Sequence, residues 1–399
     1  MIGKMGWTRA LGATLFTAIV LTGAASGQTV KIGVVTTFSG PQASIGEYSD
    51  RGMRLYMKQH PADLPPGVKI EIINRDDGGS NPDKAKQLAQ ELIVRDKVNL
   101  LMGGSFSPNA LAIAPIIQEA KIPFIITNSG TSIITTKSDY IVRFSFTVDQ
   151  AVAPLGAWAA KNFKTVYTMV SDYASGYDTE KGFIESFKAA GGTVAGSVRV
   201  PLQNLDFSPY MQRVKDAKPD ALMLFVPAGK TASNAMKSFA SLGLRESGVK
   251  LIGPGGITPD EEIPGMGDEA IGVNTVYHYS AGATRPENKA FVDAWRKEYG
   301  ADAVPNFVAV AGYDAMAAVY FVVRAQNGRI DTDKTVALLR AYSNAASPRG
   351  PIAIDPDTRD IVQNEYLREI RRVDGALSNV EIETLATALK DPGKATKGK

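Results

Sequence analysis

The sequence predicts an α/β chain made of two similar units in tandem, each a parallel sheet with helices on both faces. Three observations carry this. From Val30 onward, short β-branched runs are repeatedly followed by stretches of helical pattern, the alternation that builds parallel sheets. The series restarts after the run "YIVRFSF", residues 140–146. And 399 residues, 44% hydrophobic and 21% charged, are too many for one simple core, so two domains are expected.

In the first unit "VKIGVV" leads to "EYSDRGMRLYMKQ", "VKIEIINRDD" to "NPDKAKQLAQELIVRD", and "VNLLMGG" to "SPNALAIAPIIQEA", after which comes "PFIIT". Ala85, Leu88, Leu92 and Ile93 fall on one helical face, with Lys84, Lys86, Gln87 and Glu91 largely off it. Asn81 before Pro82 reads as a helix cap with proline at the first helical position. In the second unit "TVYTMVSD" precedes a helix from about Tyr177 to Ala190, "TVAGSVRV" precedes "FSPYMQRVKDA", "ALMLFVP" precedes "KTASNAMKSFASLG", and "VKLIGPGG" closes the series. Helices are then expected over 286–299, 307–325 and 333–342, and "GPIAIDP" with "IVQNEYLREIRRV" reads as a hairpin. A Lys/Gly tail follows Pro392.

Residues 1–27 read as an export signal. Lys4 and Arg9 precede an uncharged run that ends in the small residues 23–27, and the run is shorter than the roughly 20 residues needed to span a bilayer. Cleavage is expected before Gln28, and no cysteine follows that could take a lipid. Removal leaves 42 cationic against 41 anionic side chains. With near-neutral charge and no like-charge block, a nucleic-acid surface is disfavoured. The chain has no cysteine, so no disulfide supports it, although an exported protein could carry one.

Enzyme signatures are missing: no G-x-S-x-G, no Walker loop and no H-E-x-x-H occurs. Gly265, Gly267 and Ala270 match G-x-G-x-x-A but follow "PDEEIP" rather than a strand, against a dinucleotide site. His60 and His278 are the only histidines, which argues against soft-metal sites. The first reads as solvated and the second as packed or cleft-facing. Asp76 and Asp77 resemble an acid/base pair, yet acidic residues also mark the turn from a strand end into a helix. No catalytic residue, metal or cofactor is expected.

What remains are uncharged polar loops where strands end. In an open parallel sheet the ligand crevice lies outside the C-terminal strand ends. There stand "SGPQASIG" (39–46), "GGSFSP" (103–108) and "TNSGT" (127–131). Two of these precede helices, whose free N–H groups favour an anion, and Ser107, Ser129 and Thr131 add hydroxyl donors. Caps and turns alone would use the same residues. The second unit offers "SDYASGYD", "VPAGK" and "GPGGITPDEE", while Tyr173, Tyr177 and Phe106 supply aromatic surface.

Taken in order, "VKIGVVTTFSGPQASIGEYSDRGMRLYM", "INRDDGGSNPDKAKQLAQELI", "GGSFSPNALAIAPIIQEAKIPFIITNSGT", "VSDYASGYDTEKGF" and "AGYDAMAAVY" resemble the periplasmic branched-chain amino-acid binding proteins, the substrate-capture subunits of ABC importers. The resemblance implies the type I periplasmic binding fold, two Rossmann-like lobes joined by a three-stranded hinge and closing on a ligand. It implies carboxylate and ammonium contacts at Ser107, Ser129 and Thr131, backbone from Ser105, and Ile45 beside the ligand side chain. Phe106, Gly130, Tyr173, Ala228 and Gly255 complete the expected ligand-binding set. It also implies periplasmic localisation, ABC permease subunits in the inner membrane as partners, and a monomer. Lobe 1 is expected over 28–146 plus 277–346, lobe 2 over 147–276 plus 347–380, and a C-terminal tail over 381–399.

Two departures bear on the ligand. Amino-acid binders of this kind carry a Glu in a "GPEG"-like loop to neutralise the ammonium, where this chain has Gly255; and the aromatic of the second lobe's "YG" is displaced, since Ser175 precedes Gly176. A desolvated ammonium without a carboxylate costs several kcal/mol, unless Asp172, Glu261 or Glu262 reaches in. The sequence therefore favours a small carboxylate without an α-amino group, an aromatic or branched acid. Aliphatic amino acids are the alternative within this class, and a ligand sensor for a membrane receptor is the alternative outside it.

Overall fold

The computed structural model describes residues 1–3, 28–203 and 206–395, so nearly all of the expected export signal lies outside the described residues. Strands β1 (Thr29–Thr36), β2 (Lys69–Asp76), β3 (Leu100–Gly103), β4 (Phe124–Ile126) and β5 (Ile141–Arg143) form one sheet in the order β2-β1-β3-β4-β5. All its pairings are parallel. The restart is also realised: β6 (Thr165–Ser171), β7 (Thr193–Val200), β8 (Ala221–Phe225), β9 (Lys250–Pro254) and β10 (Asn274–Tyr277) run parallel in the order β7-β6-β8-β9-β10.

Both sheets reverse direction beside their first strand, so each has its crevice where two neighbouring strands lead to opposite faces. In the first lobe these are β1 and β3; in the second, β6 and β8. Val30, Ile32 and Val34 pack under the helix Phe307–Ala325, while Val35 and Leu101 meet Ile113 and Ile117 of the helix Ser107–Ala120 on the other face. Burial on both faces explains why these strands read as continuous apolar runs. The helix Phe307–Ala325 is long and apolar enough to cross a membrane but is mostly buried inside the fold. Asn81 caps the helix Pro82–Val94 by accepting from Lys84 N, as its position before Pro82 predicts.

The remaining strands, β11 (Ser343–Asn344), β12 (Ile352–Ile354), β13 (Ile361–Val373) and β14 (Ala376–Leu389), are antiparallel. The first residues of β13 pair with β12 and its later ones with β10, so one long strand runs from the first lobe into the second. The chain also crosses after β5 and after β10. Ile352, Ile354 and Ile361 share a core with Val30 and Ile32. Residues 381–389, expected within a tail, belong to β14 and pair with β13. None of these side chains is buried and their exposure does not alternate, which is why the sequence hides the strand.

Buried arginines hold these crossings together. Arg349 donates to Phe144 O and Ser145 O (both 3.0 Å), to Gln363 (3.0 Å) and to Asp314 (2.8 Å), fastening the first crossing, β13 and the helix Phe307–Ala325 to one point. Arg143 pairs with Asp360 at 3.0 Å, with both side chains almost fully buried.

Candidate functional site

The two crevices face one another, and the interior of the cleft is a pair of adjoining chambers of about 40 and 30 Å³ that share Ser105, Asn128, Phe146, Tyr173 and Phe225. The inner, polar chamber adds Ser107, Ser129, Gly130 and Ser175. The outer chamber adds Ile45, Phe106, Ala228, Gly256, Tyr277 and Phe307 among others.

The polar end is made by two helix N-termini. The helix Ser107–Ala120 starts after Phe106 and the helix Ala174–Ala189 after Tyr173, and neither has a side-chain cap. Their first N–H groups and partial positive charge are therefore directed into the cleft. The hydroxyls of Ser107 and Ser175 meet across the lobes at 2.7 Å. This close approach depends on glycine: a Cβ at Gly176 would stand 1.8 Å from the Ser171 carbonyl oxygen, and one at Gly103, whose φ is +117°, would stand 2.2 Å from Val35 O. The first would push the helix from the end of β6, and the second would part the ends of β1 and β3.

The expected residues divide into three groups. Ile45, Phe106, Ser107, Gly130, Tyr173 and Ala228 line the chambers. Ser105 and Ser129 also line them, but their hydroxyls serve the loops: Ser105 Oγ meets Thr36 Oγ1 (2.6 Å) and accepts from Thr37 N (2.7 Å), and Ser129 donates to Gly104 O (2.6 Å). The Ser105 carbonyl is likewise taken, by Asn128 Nδ2 at 2.6 Å. Thr131 and Gly255 fall outside the walls. Thr131 donates to Asp178 of the second lobe, which also accepts from Ser132 N (3.3 Å). Gly255 is backed by Arg368, which donates to its carbonyl at 3.1 Å; its neighbour Gly256 faces the chamber instead. A Cβ at Gly255 would come within 2.2 Å of the Arg368 guanidinium and 2.5 Å of Tyr277. The place where a glutamate would stand is therefore filled from behind.

Sequence reasoning missed Asn128, Phe146, Phe225, Tyr277 and Phe307. Phe146 packs against Tyr277 (5.2 Å between ring centroids) and Phe307 (6.1 Å), and Tyr173 stacks on Phe225 (6.0 Å). In sequence these rings look like ordinary strand and helix core. The one available signal was position, since each sits at or just past a strand end or at a helix start. Arg143 was missed too: it donates to Ser129 O (3.1 Å), Phe146 O (3.2 Å) and Thr131 O (2.7 Å), and so sets the shape of the 127–131 loop without touching the chambers.

None of the residues lining the two chambers carries a charge. Asp77 accepts from Thr37 Oγ1 (2.6 Å), Asn109 Nδ2 (2.9 Å) and Gly79 N (3.2 Å), and Asp76 accepts from Phe38 N (2.8 Å) and Gly78 N (2.9 Å), so both shape turns and neither is placed for proton transfer. Glu262 is held by Ser233 (2.7 Å) and Lys230 (3.1 Å) within the second lobe. His278 is fully buried behind Phe146, which stacks on it at 5.6 Å, and burial with nearby Arg349 and Arg368 lowers its pKa well below the usual value. It is a neutral packed ring. Among the described residues no cluster of His, Asp and Glu suits a metal ion.

Two lobes joined by crossing strands and shutting on a neutral-walled cleft define a two-jawed solute-capture protein. Residues 29–376 match the family model described as periplasmic binding protein, and the chain belongs to that family. It is 40% identical over 372 residues to the Leu/Ile/Val-binding protein homolog 6 of Brucella abortus, covering 93% of this chain and 95% of the relative. It is also similar to two solved solute-binding proteins of ABC transporters from Rhodopseudomonas palustris. One, in complex with 3,4-dihydroxybenzoic acid, is 48% identical, with a TM-score of 0.88 and coverage of 92% of this chain and 99% of that one. The other, in complex with 4-hydroxybenzoate, is 40% identical, with a TM-score of 0.88 and coverage of 92% and 100%.

Proposed function

We propose that this chain is the periplasmic solute-binding subunit of an ABC importer and that it captures a benzoate-type aromatic carboxylate by lobe closure. The observation that carries the reading is the cleft wall: one end offers hydroxyls and the N–H groups of two uncapped helices, the other offers rings, and no lining residue is charged.

Such a wall suits an anion whose remainder is flat and apolar. Hydrogen bonds to a charged carboxylate contribute about 1.5 to 3 kcal/mol each, and burying roughly 150 Å² of ring adds about 4 kcal/mol. After association costs, this supports affinity near micromolar, about 8 kcal/mol. An α-ammonium in the same cleft would meet no carboxylate, at a cost of several kcal/mol. The Arg368 guanidinium behind Gly255 adds to that penalty. The relatives bound to 3,4-dihydroxybenzoic acid and 4-hydroxybenzoate support the same ligand class.

In this reading Ser107 and Ser175 hold the carboxylate from both jaws, and Phe106, Phe146, Tyr173 and Phe225 enclose the ring. Closure is a population shift: a ligand that touches both lobes favours the shut arrangement, which then docks on the permease in the inner membrane. The protein binds and releases its ligand unchanged. The lobes it closes part near residues 146 and 277, and again within β13.

Isothermal titration calorimetry of the mature protein with benzoate, 4-hydroxybenzoate, phenylalanine and leucine tests this. An aromatic acid is expected to bind at micromolar strength or better and leucine at least a hundredfold more weakly. Tight leucine binding with no response to either benzoate would overturn it.

A further inference from the structure

The outer chamber contains a chemical exception. Of the side chains that line this chamber and not the polar one, Tyr277 alone carries a polar atom; Ile45, Val226, Pro227, Ala228, Phe106 and Phe307 are apolar, and Gly256 adds none. Tyr277 is 2% exposed. Its ring is fixed by Phe307 (4.9 Å, edge-on), Phe146 (5.2 Å) and the guanidinium of Arg368 at 5.5 Å. Its hydroxyl makes no hydrogen bond to any described residue, whereas the buried hydroxyls of Ser105, Ser107 and Ser129 all have partners.

A hydroxyl that a ligand seals from water can donate and accept, and leaving it unpaired then is costly. Packing holds the Tyr277 ring too firmly for it to turn away, and a purely apolar ligand would seal the unpaired group in. Burial and the neighbouring Glu365 carboxyl raise its pKa well above the usual value, so it remains an O–H donor at all working pH. Resting on the aromatic-acid reading, we propose that Tyr277 is the specificity-determining residue of the cleft, pairing with a hydroxyl on the ligand ring remote from the carboxylate and so selecting hydroxybenzoates over benzoate. A site built to pair with a substrate hydroxyl discriminates strongly against the analogue lacking it.

The test is calorimetry of the mature wild type and Tyr277→Phe with benzoate, 3-hydroxybenzoate, 4-hydroxybenzoate and 4-fluorobenzoate. In the wild type at least one hydroxybenzoate is expected to bind about ten- to a hundredfold more tightly than benzoate, with 4-fluorobenzoate, which fills space without donating, behaving like benzoate. Tyr277→Phe keeps the packed ring and is expected to lose the preference, binding the hydroxybenzoates no more tightly than benzoate; its melting temperature verifies folding. Equal wild-type affinities for benzoate and both hydroxybenzoates, or a preference that survives in Tyr277→Phe, would overturn the role of Tyr277 and leave the aromatic-acid reading intact. Failure of all four acids to bind would remove both. Should the variant not fold, the fluoro-against-hydroxy comparison in the wild type decides: equal binding overturns the proposal and a preference for hydroxyl supports it.

Discussion

The cleft and the hinge of this protein treat charge in opposite ways. The hinge concentrates it, with Arg143 on Asp360, Arg349 on Asp314, and Arg368 donating to Gly255 O and Thr275, all in the dry interior. The cleft walls have none. Buried charges fix geometry because each must keep its partners or suffer desolvation. Neutral dipoles leave the only full charge in the closed cleft to the ligand, so an anion is gripped without an opposing ion that a cation could exploit. Charge here sets the path along which the lobes close, and hydroxyls and N–H groups set what they close on.

The sharpest way to break that division is at Arg349. Replacing it with Met leaves the buried Asp314 with the Ser347 hydroxyl but no cation, frees the Phe144 carbonyl and leaves Ser145 O to Gln363 Nε2 at 3.4 Å. We expect about 3 to 5 kcal/mol of lost stability in urea denaturation, with ligand affinity of the remaining folded protein changed less than threefold. A loss below about 1 kcal/mol would mean that the hinge charges are passengers.

A second variant acts on the other side of the comparison. Ser107→Ala removes the hydroxyl that meets Ser175 and accepts from Thr131 N. Affinity for the aromatic acid is expected to fall by about 1.5 to 3 kcal/mol, measured by calorimetry, while the melting temperature of the unliganded protein moves by only a few degrees. Unchanged affinity would assign the carboxylate to backbone N–H groups alone.

The smallest effect, per pH unit, comes from the hinge. Glu365 is fully buried with neither oxygen hydrogen-bonded, and burial pushes its carboxyl up to about 8 against the pull of Arg368 and Arg349. Its folded form holds a proton that the unfolded chain releases near 4.5, so the stability this supplies is complete below 4.5 and is lost as pH rises to about 8. His278, lowered well below 6.5, acts in the other direction but only up to 6.5. Glu261, whose carboxyl burial likewise pushes up to about 7, adds to the slope below that pH; between pH 7 and 8 the wild type should therefore lose up to about 1.4 kcal/mol per pH unit, and Glu365→Gln should flatten that slope. An equally steep slope in the variant would place the titrating group elsewhere.

Much of this architecture can be read from the chain before any coordinate. The alternation of strands and helices, its restart after residue 146 and the short polar loops at strand ends follow from local patterning, and residues 105–107 and 128–130 of those loops line the chambers. What the sequence conceals is direction. Ser129 and Ser107 look equivalent as hydroxyl donors, yet one bonds Gly104 of its own lobe and the other crosses to Ser175. Thr131 looks like a ligand contact until Asp178, from the distant helix Ala174–Ala189, takes its hydroxyl. Gly255 looks like space for a ligand, but Arg368 from β13 occupies the volume behind it. Each of these is settled by a partner more than 15 residues away. The rings of Phe146, Phe225 and Phe307 escaped for a related reason: apolar periodicity shows that a residue is buried but not whether it faces a core or a cavity.

The bond between Ser107 and Ser175 means that the jaws, once shut, satisfy each other. An arriving carboxylate works by exchange: it trades one neutral contact for charge-assisted ones of roughly twice the strength, and only that surplus tilts the balance toward the loaded form. Shape alone would then tell a permease little, and uptake would track how often the protein is found shut.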